Sequence, residues 1–252
     1  MSENIRPIES FDEIESCIEL QRTTWGMADV DITPGRLFVI ARYASAPPLG
    51  AFDATGRLVG FVHTLYGRFN GTTCFFSHML AVEESQRNTG VGYRLKLAQR
   101  EQALAEGVRL VVWTFDPLQS RNAYFNLMKL GAVARRYVDN YYGERHTPVF
   151  DSGLGSDRLF AEWWVGSRRV DEALRGESRA LPTHGPRVEI PADIASVKRE
   201  DQEQALIWRL KVREQFTSIF SRGLVAVGIQ RVEGGDVSRY AFAESSEVDD
   251  AR

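Results

Sequence analysis

The chain has 252 residues, 43% of them hydrophobic and 26% charged, with 31 Lys and Arg against 34 Asp and Glu for a formal net charge of -3. That length suffices for one domain or one and a half with a sizeable core, and the near-neutral charge gives no general footprint for nucleic acid or an acidic membrane, so neither is expected as a partner. No apolar run approaches the roughly 20 residues of a membrane span, and Met1-Ser2-Glu3-Asn4 lacks a signal peptide's basic and apolar regions. Cys17 and Cys74 stand in neither metal nor redox spacing, which completes the expectation of a cytoplasmic, metal-free protein.

In chain order, Ile5 to Ile8 reads as a first strand, Phe11 to Trp25 as an amphipathic helix and Pro34 to Tyr43 as a second, shorter one. A hairpin follows, Leu49 to Asp53 and Leu58 to Leu65, turning at Ala54-Thr55-Gly56-Arg57. Cys74 to Val82 is rich in aromatic and β-branched residues and reads as a strand. After Gly92, Leu97, Ala98, Leu104 and Ala105 repeat at helical spacing. Val108 to Thr114 is the near-continuous apolar run of a buried parallel strand. Asp116-Pro117 would supply an N-cap and an N1 proline to a further helix ending at Lys129-Leu130-Gly131-Ala132, with Gly in a C-cap position. Strands are expected in Val133 to Tyr142 and Asp157 to Val165.

Periodicity is lost after Ser167. The expected organisation is therefore a domain over 1–167, a linker over 168–186, a helix-and-hairpin extension over 187–243 and a flexible tail over 244–252. In the extension, Ala205, Trp208, Val212, Phe216, Ile219 and Phe220 form an apolar stripe, with Arg209, Lys211, Arg213 and Glu214 elsewhere on the helix. Two strand-like runs, Leu224 to Val232 and Val237 to Ala243, complete it. About 55 residues are marginal for folding alone, so the stripe is expected to pack on the first domain or on a second copy in a homodimer.

The most informative stretch joins the strand ending at Val82 to the helix starting near Gly92. Gly90 and Gly92 sit at a helix N-terminus, where unpaired N–H groups and the macrodipole favour an anion. A P-loop would need Gly-Lys-Ser/Thr, whereas Tyr93 and Arg94 follow Gly92. The dinucleotide fingerprint would need a small residue at Leu95. Arg87-Asn88-Thr89-Gly90-Val91-Gly92 does match Arg/Gln-x-x-Gly-x-Gly/Ala placed five residues after a strand-ending Val. It resembles the pyrophosphate loop of the GNAT acyltransferases, and the element order β-α-α-β-β-β-α-β-α followed by two strands is similar to theirs. Lys129-Leu130-Gly131-Ala132 also looks like their Lys-x-Gly-Phe helix ending, with Ala132 in place of the aromatic.

The resemblance implies an α/β (α+β) fold with a mixed central sheet splayed between its fourth and fifth strands. It also implies an acyl-CoA-dependent N-acyltransferase, acetyl by default, that acts on a primary amine of a small molecule by direct attack in a ternary complex. Succinyl-CoA or another acyl-CoA with an amino acid as acceptor, and a non-catalytic CoA-binding module, are the alternatives. Acetyl-CoA would be held by Leu80, Ala81 and Val82, by Arg87, Asn88, Thr89, Gly90, Val91 and Gly92, and by Asn122 and Lys129, with the oxyanion donor a backbone N–H near Met79 to Ala81. Gly90 and Gly92 would let the backbone approach the phosphates. Arg94, Lys96 and Arg100 form either a solvated helix face or a contact to the CoA 3′-phosphate.

Strand alternation puts Cys74, Phe76, His78, Leu80 and Val82 on one face, and because bases of the family it resembles often come from this strand, the resemblance implies His78 as the candidate base, against a structural histidine. Asp116 is a second candidate base, or a helix cap. Many relatives carry a tyrosine acid where this chain has Leu127; Tyr124 is the nearest substitute, with Tyr137, Tyr141 and Tyr142 further on. Cys74 and His78 lie roughly 13 Å apart along a strand, too far for a dyad, so no acyl-cysteine is expected. Asp157-Arg158 and Trp163-Trp164 either approach an acceptor cleft or form an ion pair and core. His146 and His184 have no partners at metal-ligand spacing.

Overall fold

Ser10 opens the first helix with a reciprocal cap: its hydroxyl accepts the Glu13 N–H at 3.1 Å, and the Glu13 carboxylate accepts the Ser10 N–H at 3.1 Å. Gly26, in the left-handed region at φ 65°, closes the helix. These signals fix α1 at Phe11–Trp25, as its sequence predicts. The computed structural model describes residues 4–143, 153–177 and 179–251, so His146 lies outside the described residues. Contacts divide the chain into two compact units, Met1–Val112 and Trp113–Arg252.

The first unit holds β1 (Asn4–Pro7), α1, α2 (Gly35–Ala44), β2 (Leu49–Phe52), β3 (Leu58–Phe69), β4 (Thr72–Val82), α3 (Val91–Ala105) and the start of β5 (Leu110–Phe115). Its strands run in sequence order, antiparallel from β1 to β4, with β5 parallel to β4 at Phe75↔Val111 and Phe76↔Val112. Leu95 and Val91 of α3 pack with Leu49, Ala51 and Val62, and Leu80 and Val82 join them from β4. On the other side Phe38 of α2 meets Phe61 edge-on, with ring centroids 5.6 Å apart. Strict alternation fails in β4. His63 pairs with Met79 but Thr64 pairs with Ser77, so His78 is an extra, bulged residue. Leu80 and Val82 therefore face α3 together with Ser77, whereas His78 meets His63 and Thr33, and the single face expected for His78, Leu80 and Val82 does not exist.

The second unit adds α4 (Ser120–Tyr124), β6 (Val133–Val138), β7 (Arg158–Trp164), α5 (Arg168–Leu174), β8 (Arg187–Pro191), α6 (Ile194–Glu200), α7 (Gln202–Ser221), β9 (Leu224–Arg231) and β10 (Val237–Glu244). Its strands lie in the order β7-β6-β9-β10-β8, with β9 antiparallel to β6 at Ala134↔Ala226. The C-terminal hairpin thus continues the sheet begun by β6 and β7. No helix of the described residues is long and apolar enough to cross a membrane.

Several local expectations are corrected. No helix starts at Asp116-Pro117. The Asp116 carboxylate accepts the Leu118 N–H at 2.9 Å and its carbonyl accepts the Gln119 N–H at 3.1 Å, closing a turn that delays α4 to Ser120. The last part of that helix, Phe125–Lys129, is a π-helical turn ending at Gly131 with φ 74°. The stretch expected to be a linker contains α5, capped by Ser167, and 245–251 form a 3₁₀ turn. On α7 the buried face is Ala205, Arg209, Val212, Phe216 and Ile219; Trp208 lies outside it, only half-buried, beneath Lys211 at 4.7 Å.

Candidate functional site

Two features of the first unit have the chemistry of a site. The first is the connection from β4 to α3. After Val82 a short 3₁₀ turn, Glu84–Gln86, leads into Arg87, Asn88 and Thr89, all exposed. Asn88 at φ 64° and Gly90 at φ 93° both take left-handed backbone, which turns successive amides toward one side. The N–H groups from Asn88 to Gly92 have no acceptor among the described residues, and the first helical bond runs from the Arg94 N–H to the Gly90 carbonyl at 3.0 Å. Five consecutive free amides at the positive end of a 15-residue helix form an anion cradle.

The two glycines differ in role. At Gly90 the backbone itself excludes most side chains. A Cβ at Gly92 would point toward Leu80 and Val82 at ordinary contact distances of 3.5 and 3.6 Å, so the backbone there is not one that only glycine can adopt. Below the loop, the β4–β5 ladder is confined among the described residues to Phe75↔Val111 and Phe76↔Val112. The edge from Ser77 through Leu80, Ala81 and Val82 therefore has no β5 partner. The Arg87 Nε lies 3.4 Å from the Val82 carbonyl.

Lys96 belongs neither to a solvated face nor to a phosphate contact. It is 3% exposed and donates to Ser77 Oγ and Gln99 Oε1, each at 2.9 Å, while Gln99 Nε2 reaches Thr64 Oγ1 at 2.6 Å. Burial pushes its pKa well below the usual lysine value, and the network ties α3 to β3 and β4. A helical wheel that places every lysine outside misses this, because Lys96 sits beside Leu95 on the buried arc.

The second feature is a pair of imidazoles. His78 Nε2 lies 3.1 Å from Thr33 Oγ1, and Thr33 is pinned by buried Gln21, which accepts the Thr33 N–H at 2.8 Å. The His63 ring, wholly buried, stands edge-on to His78 at 5.8 Å and stacks on Phe38 at 4.6 Å. Neither His63 nitrogen has a partner among the described residues. Burial, with His78 adding a smaller effect, pushes the His63 pKa down to about 4. Desolvation also lowers that of His78, although the residue keeps an exposed edge. Both shifts favour the neutral imidazole. The sequence does not single out His63, because a lone histidine directly after the apolar run Val59 to Val62 resembles ordinary core.

The other candidates lie in the second unit. Asp116 is held by Arg209 through two 2.8 Å bonds, and Arg209 is 1% exposed. Its carboxylate is therefore engaged, and Arg209 belongs to the buried face of α7. Asp157, wholly buried, takes two bonds from Arg213, at 2.8 and 2.9 Å, one from Tyr137 and one from the Asn140 N–H at 2.9 Å. Burial alone would raise its pKa, but these donors outweigh it and hold it below the usual carboxylate value. Burial and Asp157 together raise that of Tyr137. Arg158 lies over Tyr142 at 5.0 Å and buried Trp163 donates to the Leu130 carbonyl at 2.7 Å, so this cluster is ion pair and core. Asn122 accepts from Asn126 Nδ2 at 3.2 Å. Tyr124, exposed, and Lys129 line a cleft of this unit, and Leu127 is buried. Tyr141 packs edge-on against Phe160.

Similar arrangements of chain occur in solved structures. An aminoglycoside 6′-acetyltransferase type Ii is 19% identical over 66% of this chain and 99% of its own, with a TM-score of 0.51. A protein from Desulfovibrio desulfuricans described as a GNAT-family acetyltransferase is 14% identical over 66% and 100%, with a TM-score of 0.50. The chain has the GNAT fold. Arabidopsis thaliana Naa50, solved with the bisubstrate analogue CoA-Ac-MVNAL, is 13% identical over 64% of this chain and 98% of its own, with a TM-score of 0.50. No family model and no curated protein matches the sequence. The GNAT likeness spans the whole of these neighbours and about two thirds of this chain, which leaves the remaining third as elements of its own.

Proposed function

We propose that the chain is an acyl-CoA-dependent N-acyltransferase, with acetyl as the default group and a primary amine of a small molecule as acceptor. The observation that carries this is the row of unpartnered amides from Asn88 to Gly92 at the start of α3 in a GNAT fold. That row fits a pyrophosphate, because it supplies donors in a curved backbone with Arg87 beside it and no carboxylate among its own residues. The β4 edge from Ser77 to Val82 offers groups for a pantetheine chain, with Leu80, Ala81 and Val82 nearest the loop. Bound acyl-CoA would supply a thioester-activated acyl group.

His78 is the residue placed to take the proton that an amine sheds as it attacks the thioester carbonyl. When Nε2–H donates to Thr33, Nδ1 is left as the acceptor, and a lowered pKa keeps it unprotonated at neutral pH. The carbon–nitrogen bond forms as the carbon–sulfur bond breaks, and the thiol pKa near 8.5 makes the thiolate a tolerable leaving group without a dedicated acid. Both cysteines are buried, and desolvation raises their pKa values, which favours direct transfer over an acyl-cysteine. Among similar folds, one neighbour is named for an aminoglycoside and another carries a peptide-containing analogue. The small-molecule acceptor rests on the first of these.

Acetyl-CoA and succinyl-CoA offered with a panel of amines, read by thiol release and product mass, test the proposal. Amine-dependent release with sequential kinetics is expected. Tight CoA binding without turnover on any amine would instead establish a binding module, the reading that buried Leu127 at the usual tyrosine position favours.

A further inference from the structure

The second unit contains a cleft of about 920 Å³, bordered at one end by Tyr124 and Lys129. Its floor is apolar: Leu224 and Val227 of β9, Phe242 of β10, and Leu127 and Met128 of the π-helical turn. A strap, Arg179 to Pro186, forms one wall. The strap is held closely, since a Cβ on Gly228 would come within 2.2 Å of Leu181 Cδ2 and 3.0 Å of Met128 Sδ. Arg187 fastens its end by donating to the carbonyls of Pro186, at 3.1 Å, and Pro182.

Four carboxylates, Glu172, Glu177, Glu244 and Glu247, and four fixed cations, Lys129, Arg169, Arg179 and Arg222, line this cleft, but they are not paired one to one. Glu172 is paired with Arg168 at 2.6 Å and with Arg179 at 3.7 Å, and Glu177 is paired with Arg175. Glu244 and Glu247 lie together at the end of β10, where the Glu247 carboxylate caps the Glu244 N–H at 3.3 Å. Lys129, Arg169 and Arg222 have no carboxylate partner among the described residues; His184 lies on the strap. Arg169 is the inner cation. Its Nε donates to the Gly131 carbonyl at 2.9 Å and its Nη2 to the Val227 carbonyl, while Nη1 has no protein acceptor among the described residues. Burial, with Arg179 and Arg135 adding to it against Glu172, pushes the Arg169 pKa down to about 10.

We propose that this cleft binds a small organic anion, a carboxylate carried on an apolar chain, with the head group on Arg169 Nη1 and the chain on the floor of Val227, Leu224 and Phe242. The volume lies within the usual range of small-ligand sites, and an apolar lining with one placed cation is their common chemistry. A charge-assisted hydrogen bond from Arg169 Nη1, which has no protein acceptor among the described residues, supplies the preference for an anion over a neutral or cationic head. The inference does not depend on acyl transfer.

Calorimetry of the full chain with octanoate, octanol and octylamine tests it. Octanoate should bind saturably, at least tenfold more tightly than the other two. Arg169→Gln should weaken octanoate at least tenfold and leave octanol unchanged. Thr183→Glu, at an exposed strap position, adds a carboxylate to the lining without touching the core and should weaken octanoate severalfold. This second variant decides the matter if Arg169→Gln fails to fold. Absence of saturable octanoate binding, equal affinity for octanoate and octanol, undiminished binding by either folded variant, or displacement of octanoate by CoA would each overturn the proposal. Failure of CoA to bind at all would count against the acyltransferase reading and leave this one intact.

Discussion

In the first unit the conspicuous polar groups end without partners: five successive amides at the start of α3 and both nitrogens of His63. In the second, the conspicuous carboxylates are gripped, Asp116 by Arg209 and Asp157 by Arg213 and Tyr137. Leaving a polar group unpaired costs free energy unless something outside the protein supplies the missing bond, whereas breaking a paired one costs more than the pair contributed. The contrast separates the free amides of α3, which are open to a ligand, from the carboxylates that hold α7 in place. It also explains why Asp116, attractive as a base in the sequence, is a positioning group in the fold.

The sharpest way to break this contrast is at His78. His78→Ala should lower turnover by roughly 10² to 10⁴ with CoA affinity retained, and wild-type activity should decline as pH falls through a His78 pKa below the ordinary 6.5. A near-normal rate across pH would remove His78 from the chemistry. The complementary change is Asp157→Asn, which leaves Arg213 facing an uncharged group in a site where Asp157 is wholly buried. It should cost about 3 to 5 kcal/mol in denaturant unfolding while CoA binding is unchanged; a loss of CoA affinity in folded protein would show the two kinds of position to be mixed.

How far the sequence could be read follows the same division. α1 was legible to the residue because Ser10 and Glu13 form a capping box and Gly26 ends it, all local signals. The anion loop was legible because left-handed backbone needs glycine and because it precedes a strongly periodic helix. The helix start after Asp116 was not, since an aspartate that caps a turn and one that caps a helix look alike until the next three residues are placed. Nor was the π-helical turn, whose sequence is ordinary helix. The burial of Lys96 and Arg209 is not legible, because wheel patterns assign charge outward and only tertiary partners such as Ser77, Gln99 and Asp116 make the inward position tolerable. The bulge at His78 broke the period of two on which the shared face of His78, Leu80 and Val82 rested. In the last third, α5, β8 and α6 hid in polar composition, and their strands gain meaning only from pairing with distant segments.

A smaller effect concerns His63, wholly buried against Phe38 and His78. Its pKa is about 4 when folded and near 6.5 when unfolded, so between those values the unfolded chain binds more protons. Its contribution to stability is complete above pH 6.5 and is lost as pH falls toward 4, by about 3 kcal/mol. His63→Leu should flatten that part of the stability profile. A wild-type profile already flat from pH 6.5 to 4.5 would show that the ring is not held neutral.

The central claim is that the free amides at the start of α3 hold the pyrophosphate of CoA, and isothermal calorimetry with CoA on the wild type and on Gly90→Val measures it directly. A β-branched side chain at φ 93° distorts the loop without reaching the core. The expected result is saturable one-to-one binding to the wild type, weakened at least tenfold in the folded variant. Unchanged affinity in folded Gly90→Val, or no CoA binding to the wild type, would contradict the account.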